Sequence, residues 1–350
     1  MSSKRPAVLR EPPWSAIRLL VTVAIVGVLA WKLSSGEVFP SDFSRNDLIW
    51  VVGGLISLEA GYALAGWRWQ LVLGLTGHSR PLGRLWSYLL AGLFVSNFLP
   101  STIGGDVLRV TRLSKDIDST ETAFASVAID RLCGWAVLPV ISAIGFILDP
   151  ELLSLGRASH VSLILLIGAL VGLGAVLAMA ASSRLAGRFE GHAGWQRFIG
   201  AVHTGVLEMR RRPAAALKIA AVTAVFQLTN VVAFWCACRA LGVQVPTAAL
   251  LAFVPAVNIA QVLPISFGGL GLRELALMIF LKPFGVSEGT ATAIGLIVYG
   301  MTLIASLVGA PMFMMGGGKR SSTSSVRTHT VTSESADGLH MEQPDGPTAN

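Results

Sequence analysis

The sequence predicts an all-α polytopic membrane protein, made of two inverted-topology repeats with about six full spans and two re-entrant broken-helix hairpins. Three observations lead to this fold class. The composition is too apolar for a water-soluble chain. Six apolar runs are long enough to cross a bilayer, and two further runs are interrupted by the same Pro-Gly-Gly-Arg pattern.

The composition argues against a soluble protein. Hydrophobic residues make up 53% of the 350 residues and charged residues only 13%, whereas a soluble domain is about one quarter charged. The net charge of +7 is scattered among apolar runs, which argues against nucleic acid as a partner. Cys133, Cys236 and Cys238 lie in apolar stretches and no metal-ligand spacing occurs, so we expect neither a metal nor another cofactor.

Six apolar runs are predicted to be membrane-spanning helices. A span needs about 20 apolar residues, and its backbone must be hydrogen-bonded internally, which favours the helix. The first run follows a short N-terminal segment, residues 1–16, and has no clear small-x-small cleavage site, so it is interpreted as a retained span. The six runs are 17–33, 48–70, 122–148, 160–181, 214–240 and 289–315.

Lys and Arg in the connections predict the orientation, because basic loops stay in the cytoplasm. The basic segments are 1–18, 67–84 with Arg68, the loop 182–213, and the end of the last span. Both termini are therefore expected in the cytoplasm and the protein in the cell membrane. The transmembrane domain is predicted to cover 17–315, followed by a polar, disordered cytoplasmic tail at 316–350.

The basic loop also contains apolar residues at helical spacing. This stripe allows two interpretations: a helix lying on the inner leaflet, or a helix packed on the protein's own spans. Its members are Trp195, Phe198, Ile199, Val202, Val206 and Met209.

Two broken apolar segments, 85–115 and 247–281, carry the same motif. A constant offset of 164 positions relates Pro100 to Pro264 and Arg109 to Arg273. The same offset relates the amides of the two copies, and it relates repeat 1, about 48–148, to repeat 2, about 214–315. Threading the chain by its basic loops places the copies in opposite orientations, which is typical of inverted-repeat transporters. The full motif is Asn97, Pro100, Gly104, Gly105 and Arg109, then Gln261, Pro264, Gly268, Gly269 and Arg273.

The motif has a physical interpretation as an anion site. Proline ends a helix and the glycine pair allows close approach. The following helix start presents free N–H groups and partial positive charge, with Arg109 or Arg273 one turn inside it. Phosphate suits both groups. The alternative, that Pro and Gly only bend and pack membrane helices, is weakened by the second copy.

Several other polar residues are expected at membrane depth. Asp130 and Arg131 form a candidate charge cluster with Arg109 or Glu274, either as a structural ion pair or as a substrate contact. Glu274 directly follows Arg273, so we expect the two side chains to diverge and Glu274 to contact the facing repeat.

Two further acids are candidates for proton or ion-pair roles. Glu59 is either an ion-pair partner for an arginine or a proton carrier. Asp106 is expected to stabilise the helix start that follows Gly105. No phosphate-binding loop, nucleophile elbow or zinc motif occurs, so no catalytic residue is assigned.

The motif at Leu99–Arg109, the later Arg131 and the segment Pro264–Glu274 resemble the lysylphosphatidylglycerol synthase transmembrane, or flippase-like, domain family. The likeness covers about 15–315. The resemblance implies movement of an amphipathic lipid between leaflets. The residues to which it carries over are Pro100, Gly104, Gly105, Arg109, Arg131, Pro264, Gly268, Gly269, Arg273 and Glu274. About 35 polar residues follow the last span, too few for a synthase domain, so any lipid-modifying enzyme would be a separate partner.

The leading expectation is therefore a translocase for a phospholipid or a polyprenyl-phosphate-linked lipid. Two alternatives stay open: a membrane transferase using Asp106 as its acid or base, and a scaffold that docks a partner enzyme through the basic loop.

Overall fold

The computed structural model describes residues 45–98, 104–181, 196–262 and 271–315. Within these ranges the chain is helical and contains no strand, as predicted for an all-α membrane protein. The N-terminal segment, the first predicted span at 17–33 and the tail at 316–350 lie outside the described residues.

Eleven α-helices and two short 3-10 turns make up the described residues, and the α-helices are numbered here in chain order. The turns are Pro150–Ser154 and Lys282–Phe284. The helices are α1 Arg45–Leu75, α2 Leu82–Phe98, α3 Gly104–Ile117, α4 Thr120–Leu148, α5 Arg157–Ala181, α6 Gln196–Arg211, α7 Pro213–Ala240, α8 Thr247–Val262, α9 Leu272–Leu281, α10 Glu288–Leu307 and α11 Gly309–Met315.

Five helices are long and apolar enough to cross a membrane, and they correspond to five of the six predicted spans. Their apolar segments are Asp47–Leu75, Thr120–Leu148, Arg157–Ala178, Pro213–Ala240 and Glu288–Leu307. The predicted run 289–315 was wrong as one helix, because α10 ends at Leu307 and α11 begins at Gly309. Pro311 has no N–H for the carbonyl of Leu307, which explains the break.

Each broken segment forms two short helices that pack on each other, α2 with α3 and α8 with α9. These helices have 17, 14, 16 and 10 residues. At about 1.5 Å per residue, each is shorter than the roughly 30 Å hydrocarbon core, which suits a re-entrant hairpin. The breaks themselves, with Pro100, Pro264, Gly268 and Gly269, lie outside the described residues.

The helix packing is the same when the two repeats are exchanged. The 164-residue offset moves α2 onto 246–262, and α8 is Thr247–Val262. Helix α4 of repeat 1 packs on α8 of repeat 2, and α10 and α11 of repeat 2 pack on α2 of repeat 1. The two equivalent helices α1 and α7 pack on each other. This reciprocity is the pattern of an internal two-fold relation.

Contacts between α1 and α7 show that these equivalent helices run antiparallel. Trp50 stacks edge-on against Trp235 with ring centroids 5.1 Å apart. Further along, Ser57 Oγ donates to the Thr229 carbonyl at 2.9 Å, and the Lys218 ammonium lies 5.4 Å from the ring of Trp67. Antiparallel equivalent helices support the inverted repeat, while the orientation of the two copies in a bilayer stays a prediction.

Two glycines allow close helix contacts between the repeats. Gly145 of α4 lies against the backbone of Ala248 and Ala252 in α8, with no room for a Cβ. Gly309, 164 positions later, lies equally close to the backbone of Leu90 in α2. Small residues at such crossings are how membrane helices gain packing contacts.

Helix α6, from the basic loop, packs on the spans. Gly205 faces the end of the Ile129 side chain, Val206 is buried, and Met209 packs beside Ile129 and Ile219. These contacts favour the second interpretation of the apolar stripe, a helix packed on the protein's own spans. Of the rest of the stripe, Val202 packs on the same cluster; Trp195 and the side chains of Phe198 and Ile199 lie outside the described residues.

Candidate functional site

The start of α3 places the first motif against α2. Gly105 lies so close to the Gly92 carbonyl and the Ser96 hydroxyl that any side chain would overlap them. Gly104 begins the helix. This close approach sets Asp106 and Arg109, in the first turns of α3, beside the middle of α4.

Asp130 of α4 is the centre of a buried charge cluster. Its side chain is 1% exposed. One carboxylate oxygen accepts from Arg68 Nε at 2.6 Å and the other from Arg109 Nη2 at 3.0 Å. The predicted pairing of Asp130 with Arg109 is therefore present, whereas Glu274 takes no part in this cluster.

Asp106 connects the cluster to its outer edge. Arg131 donates through Nε and Nη2 to the two Asp106 oxygens at 3.0 and 2.9 Å, and Arg109 Nη1 lies 3.4 Å from Oδ1. Asp106 thus binds two arginines, which is more than the helix-start role expected from its position. The Arg131 side chain is half exposed, so the charge cluster reaches the protein surface at this residue.

Arg68 is a member of the cluster that sequence reasoning missed. It was interpreted as part of a basic cytoplasmic connection, but α1 continues to Leu75 and buries Arg68 to 5% exposure. The signal was present in the sequence, since the apolar residues Leu71, Val72 and Leu73 continue the helical run beyond Arg68.

The cluster carries an excess positive charge and unused donors. Three arginines and two aspartates leave one net positive charge. Arg68 Nη1 and Arg109 Nε are buried and have no hydrogen-bond partner among the described residues. The Arg109 guanidinium stacks 4.1 Å from the ring centre of Trp69, which holds it in place.

These residues surround a cavity of about 80 Å³, called the Arg109 cavity below. Its lining comes from α1, α2, α3, α4 and Phe226 of α7. The polar lining residues are Tyr62, Arg68, Ser96, Asp106, Arg109, Asp130 and Arg131.

The surroundings of Arg273, the arginine of the second motif, differ from those of Arg109. Arg273 of α9 is 3% exposed, its Nε donates to Glu274 Oε1 at 3.1 Å, and its guanidinium lies 5.0 Å from the ring of Tyr299. Glu274 Oε2 accepts from the N–H of Gly271 at 2.6 Å, so Glu274 caps its own helix. The expectation that Arg273 and Glu274 diverge, with Glu274 in the facing repeat, was wrong, because capping turns the acid back towards the helix start.

Arg273 lines a second cavity of about 170 Å³, called the Arg273 cavity. Buried Arg273 Nη2 has no hydrogen-bond partner among the described residues. The amides Asn97 and Gln261, one from each repeat, both line this cavity. The other lining residues are Leu58, Tyr62, Asn230, Ala233, Phe234, Asn258, Val298, Tyr299 and Thr302.

The structure does not bring the two motif arginines into one cavity. Arg109 and Arg273 line separate cavities, and Tyr62 of α1 lines both. Tyr62 itself is only 9% exposed, and it is the residue that the described linings of the two cavities share.

The remaining predictions concern Glu59, a metal site and the three cysteines. Glu59 is half buried, and within the described ranges no ion pair or hydrogen bond reaches its carboxylate, so its two possible roles, ion-pair partner and proton carrier, stay predictions. The described residues contain no group of His, Cys, Asp and Glu that could hold a metal ion. The three cysteines are free and buried.

Comparison with known proteins identifies the family to which the chain belongs. The model of a family described as "Lysylphosphatidylglycerol synthase TM region" matches residues 15–309, which include both motifs and both cavities. Comparisons with curated proteins and with solved structures gave no match. A match over most of the chain, together with five membrane-length apolar helices, makes this multi-pass membrane protein a member of the lysylphosphatidylglycerol synthase transmembrane-region family.

Proposed function

We propose that this protein is a lipid translocase, which moves a phosphate-bearing lipid between the two leaflets. One observation carries the proposal. Both motif arginines are buried against a cavity, and each keeps a guanidinium N–H without a partner among the described residues, Nε of Arg109 and Nη2 of Arg273.

Buried N–H donors without a hydrogen-bond partner destabilise the protein, and a bound phosphate would supply the missing acceptors. A buried unsatisfied polar group costs about 1–3 kcal/mol, and more when it is charged. A charged side chain at the bilayer centre costs at least about 2.5 kcal/mol by insertion scales. Phosphate oxygens accept from guanidinium in paired geometry, so a phosphate in either cavity would use the N–H groups that the protein leaves free.

An apolar cleft on another face of α4 supports a lipid rather than a soluble anion. Asp130 and Arg131 of α4 line the cavity, and the next residues, Leu132 and Cys133, line the cleft. The cleft has a volume of about 290 Å³ between α4, α5, α6 and α7, and its lining is almost entirely apolar. Such a surface suits an acyl chain while the headgroup contacts the arginines.

The two cavities suggest how the headgroup moves. Each contains the motif arginine of one repeat, and they share Tyr62. In this proposal, rocking of one repeat against the other opens one cavity at a time, and the headgroup passes Tyr62 between them.

The transferase alternative gains no support from the site. It needs Asp106 as an acid or base, but both Asp106 oxygens are occupied by Arg131, and Arg109 lies beside one of them. A proton taken up by Asp106 would weaken these ion pairs, which disfavours it as an acid or base.

Leaflet exchange in proteoliposomes tests the proposal. Wild type should speed the exchange of a fluorescent phospholipid, and both Arg109→Gln and Arg273→Gln should reduce it at least tenfold. Arg211→Gln is the matched control, since Arg211 is 74% exposed and lines neither cavity. Equal rates in all four proteins would overturn the proposal.

A further inference from the structure

The Arg273 cavity is polar but carries little charge. Its polar lining is one arginine together with amides and hydroxyls, and no carboxylate is among the described residues that line it. Glu274 is not part of the lining, because it caps the start of α9. A site for phosphate alone would need only positive charge and N–H donors, so the amides and hydroxyls point to a further group on the ligand.

Several of these polar atoms make no bond to the described protein. Asn230 uses its amide N–H to bond Phe226 O at 3.1 Å, which leaves its Oδ1 free. Gln261 uses its amide N–H groups towards Val257 O at 3.4 Å and Asn258 Oδ1 at 3.3 Å. The side chains of Asn97 and Tyr299 form no hydrogen bond with another described residue.

These free groups match hydroxyls. A hydroxyl both donates and accepts, so it can donate to the carbonyl oxygens of Asn230 and Gln261 and accept from an amide N–H of Asn97. A cavity of about 170 Å³ has the volume of roughly five or six water molecules. That space suits a glycerol or a single sugar ring.

A cationic headgroup finds no partner here. Glu274, the acid next to Arg273, is already engaged by Arg273 Nε and by the N–H of Gly271. In the neighbouring Arg109 cavity, Asp106 and Asp130 are both engaged by arginines. The described lining of the two cavities therefore contains no acid that is free to pair with an amino group.

We propose that the Arg273 cavity binds the headgroup of a phospholipid whose phosphate carries an uncharged polyol, glycerol or a sugar, and that it discriminates against cationic, aminoacylated headgroups. The proposal rests on the translocase function. Arg273 Nη2 binds the phosphate, and the amides of Asn97, Asn230 and Gln261 bind the hydroxyls.

Exchange rates for four lipids with identical acyl chains test the headgroup preference. Phosphatidylglycerol and phosphatidylinositol should exchange about tenfold faster than phosphatidic acid or lysyl-phosphatidylglycerol, since one or two hydrogen bonds are worth about that factor. Asn230→Leu and Gln261→Leu should each remove the advantage of the polyol lipids over phosphatidic acid, with both rates measured in the same variant.

The control for these variants is Gln70→Leu, which removes an amide on α1 that bonds the Arg80 carbonyl and lines neither cavity. It should keep the wild-type preference. Equal exchange of all four lipids by wild type, or preference for the lysyl lipid, would overturn the headgroup assignment and leave the translocase function standing.

A binding measurement separates the two proposals. Glycerol 3-phosphate should raise the Tm of purified wild type in detergent but not the Tm of Asn230→Leu or Arg273→Gln. If this shift occurs while no lipid is exchanged, the translocase function fails and the cavity binds a soluble polyol phosphate instead of a lipid. If neither a Tm shift nor lipid exchange occurs, both proposals are wrong.

Discussion

Asp130 is the residue on which the first charge cluster depends. It is held between Arg68 and Arg109 on two other helices, at 2.6 and 3.0 Å, in a nearly fully buried position. Burying such charges is costly, and the protein tolerates it only because each carboxylate oxygen has a partner.

We expect Asp130→Asn to destabilise the protein by about 3–5 kcal/mol, because two buried guanidinium groups lose their counter-charge. Unfolding in detergent measures the change. Glu151→Gln is the control, since Glu151 is exposed at a short 3-10 turn. A variant at Asp130 that is as stable as the control would show that the ion pairs are not formed.

At the residue scale, sequence reasoning was right where a charged residue lies in an apolar run and wrong where tertiary structure decides the contact. It selected Asp130 and Arg109, which are 21 residues apart and bonded. It placed Arg68 in a loop, because its partner is 62 residues away and a single arginine in a basic stretch resembles a topology signal.

At the element scale, glycine contacts hold the two repeats together. Gly145 and Gly309 are separated by the repeat offset, and each lies against the first hairpin helix of the other repeat. The offset predicted the bounds of α8 from those of α2 within one residue. It did not predict that 289–315 is two helices, because the break depends on the missing N–H of Pro311.

Gly145→Ala and Gly309→Ala should each destabilise the protein by about 1–3 kcal/mol, since an added methyl group would overlap the facing backbone and push the repeats apart. Thermal unfolding in detergent is the measurement. Gly168→Ala in α5 has open space around it and should be neutral or slightly stabilising. Similar stability of all three variants would contradict the packing described here.

At the scale of the whole molecule, Tyr62 joins the two cavities. It lines both of them from α1 and is nearly buried. The sequence pointed to two equivalent anion sites, but it did not indicate that the sites are separate or that Tyr62 lines both of them, because no pattern in a single chain encodes which side chain two cavities share.

Changing the size of this ring should change the rate of lipid exchange. Tyr62→Ala should speed exchange several-fold and weaken the discrimination between headgroups, whereas Tyr62→Trp should slow it, because the headgroup must pass this side chain. Tyr62→Phe keeps the ring and serves as the control. No difference between the Ala and Trp variants would show that the headgroup takes another path.

The inverted orientation of the repeats can be tested by cysteine labelling in intact cells, because the three native cysteines are buried. Asp149 and Phe313 occupy equivalent positions, 164 residues apart. Asp149→Cys should react with a membrane-impermeant maleimide from outside, and Phe313→Cys only after the membrane is permeabilised. Reaction of both from the same side would contradict the inverted repeat.

The most direct test of the central claim is phospholipid exchange in proteoliposomes, measured as the fraction of fluorescent lipid that an impermeant quencher reaches over time. Wild type should bring the inner-leaflet lipid to the outer leaflet far faster than empty vesicles do, and the Arg109→Gln, Arg273→Gln double variant should not, although it inserts and folds. Exchange by the double variant at the wild-type rate, or none by wild type with any lipid tested, would contradict the claim that the buried arginines carry a lipid headgroup across the membrane.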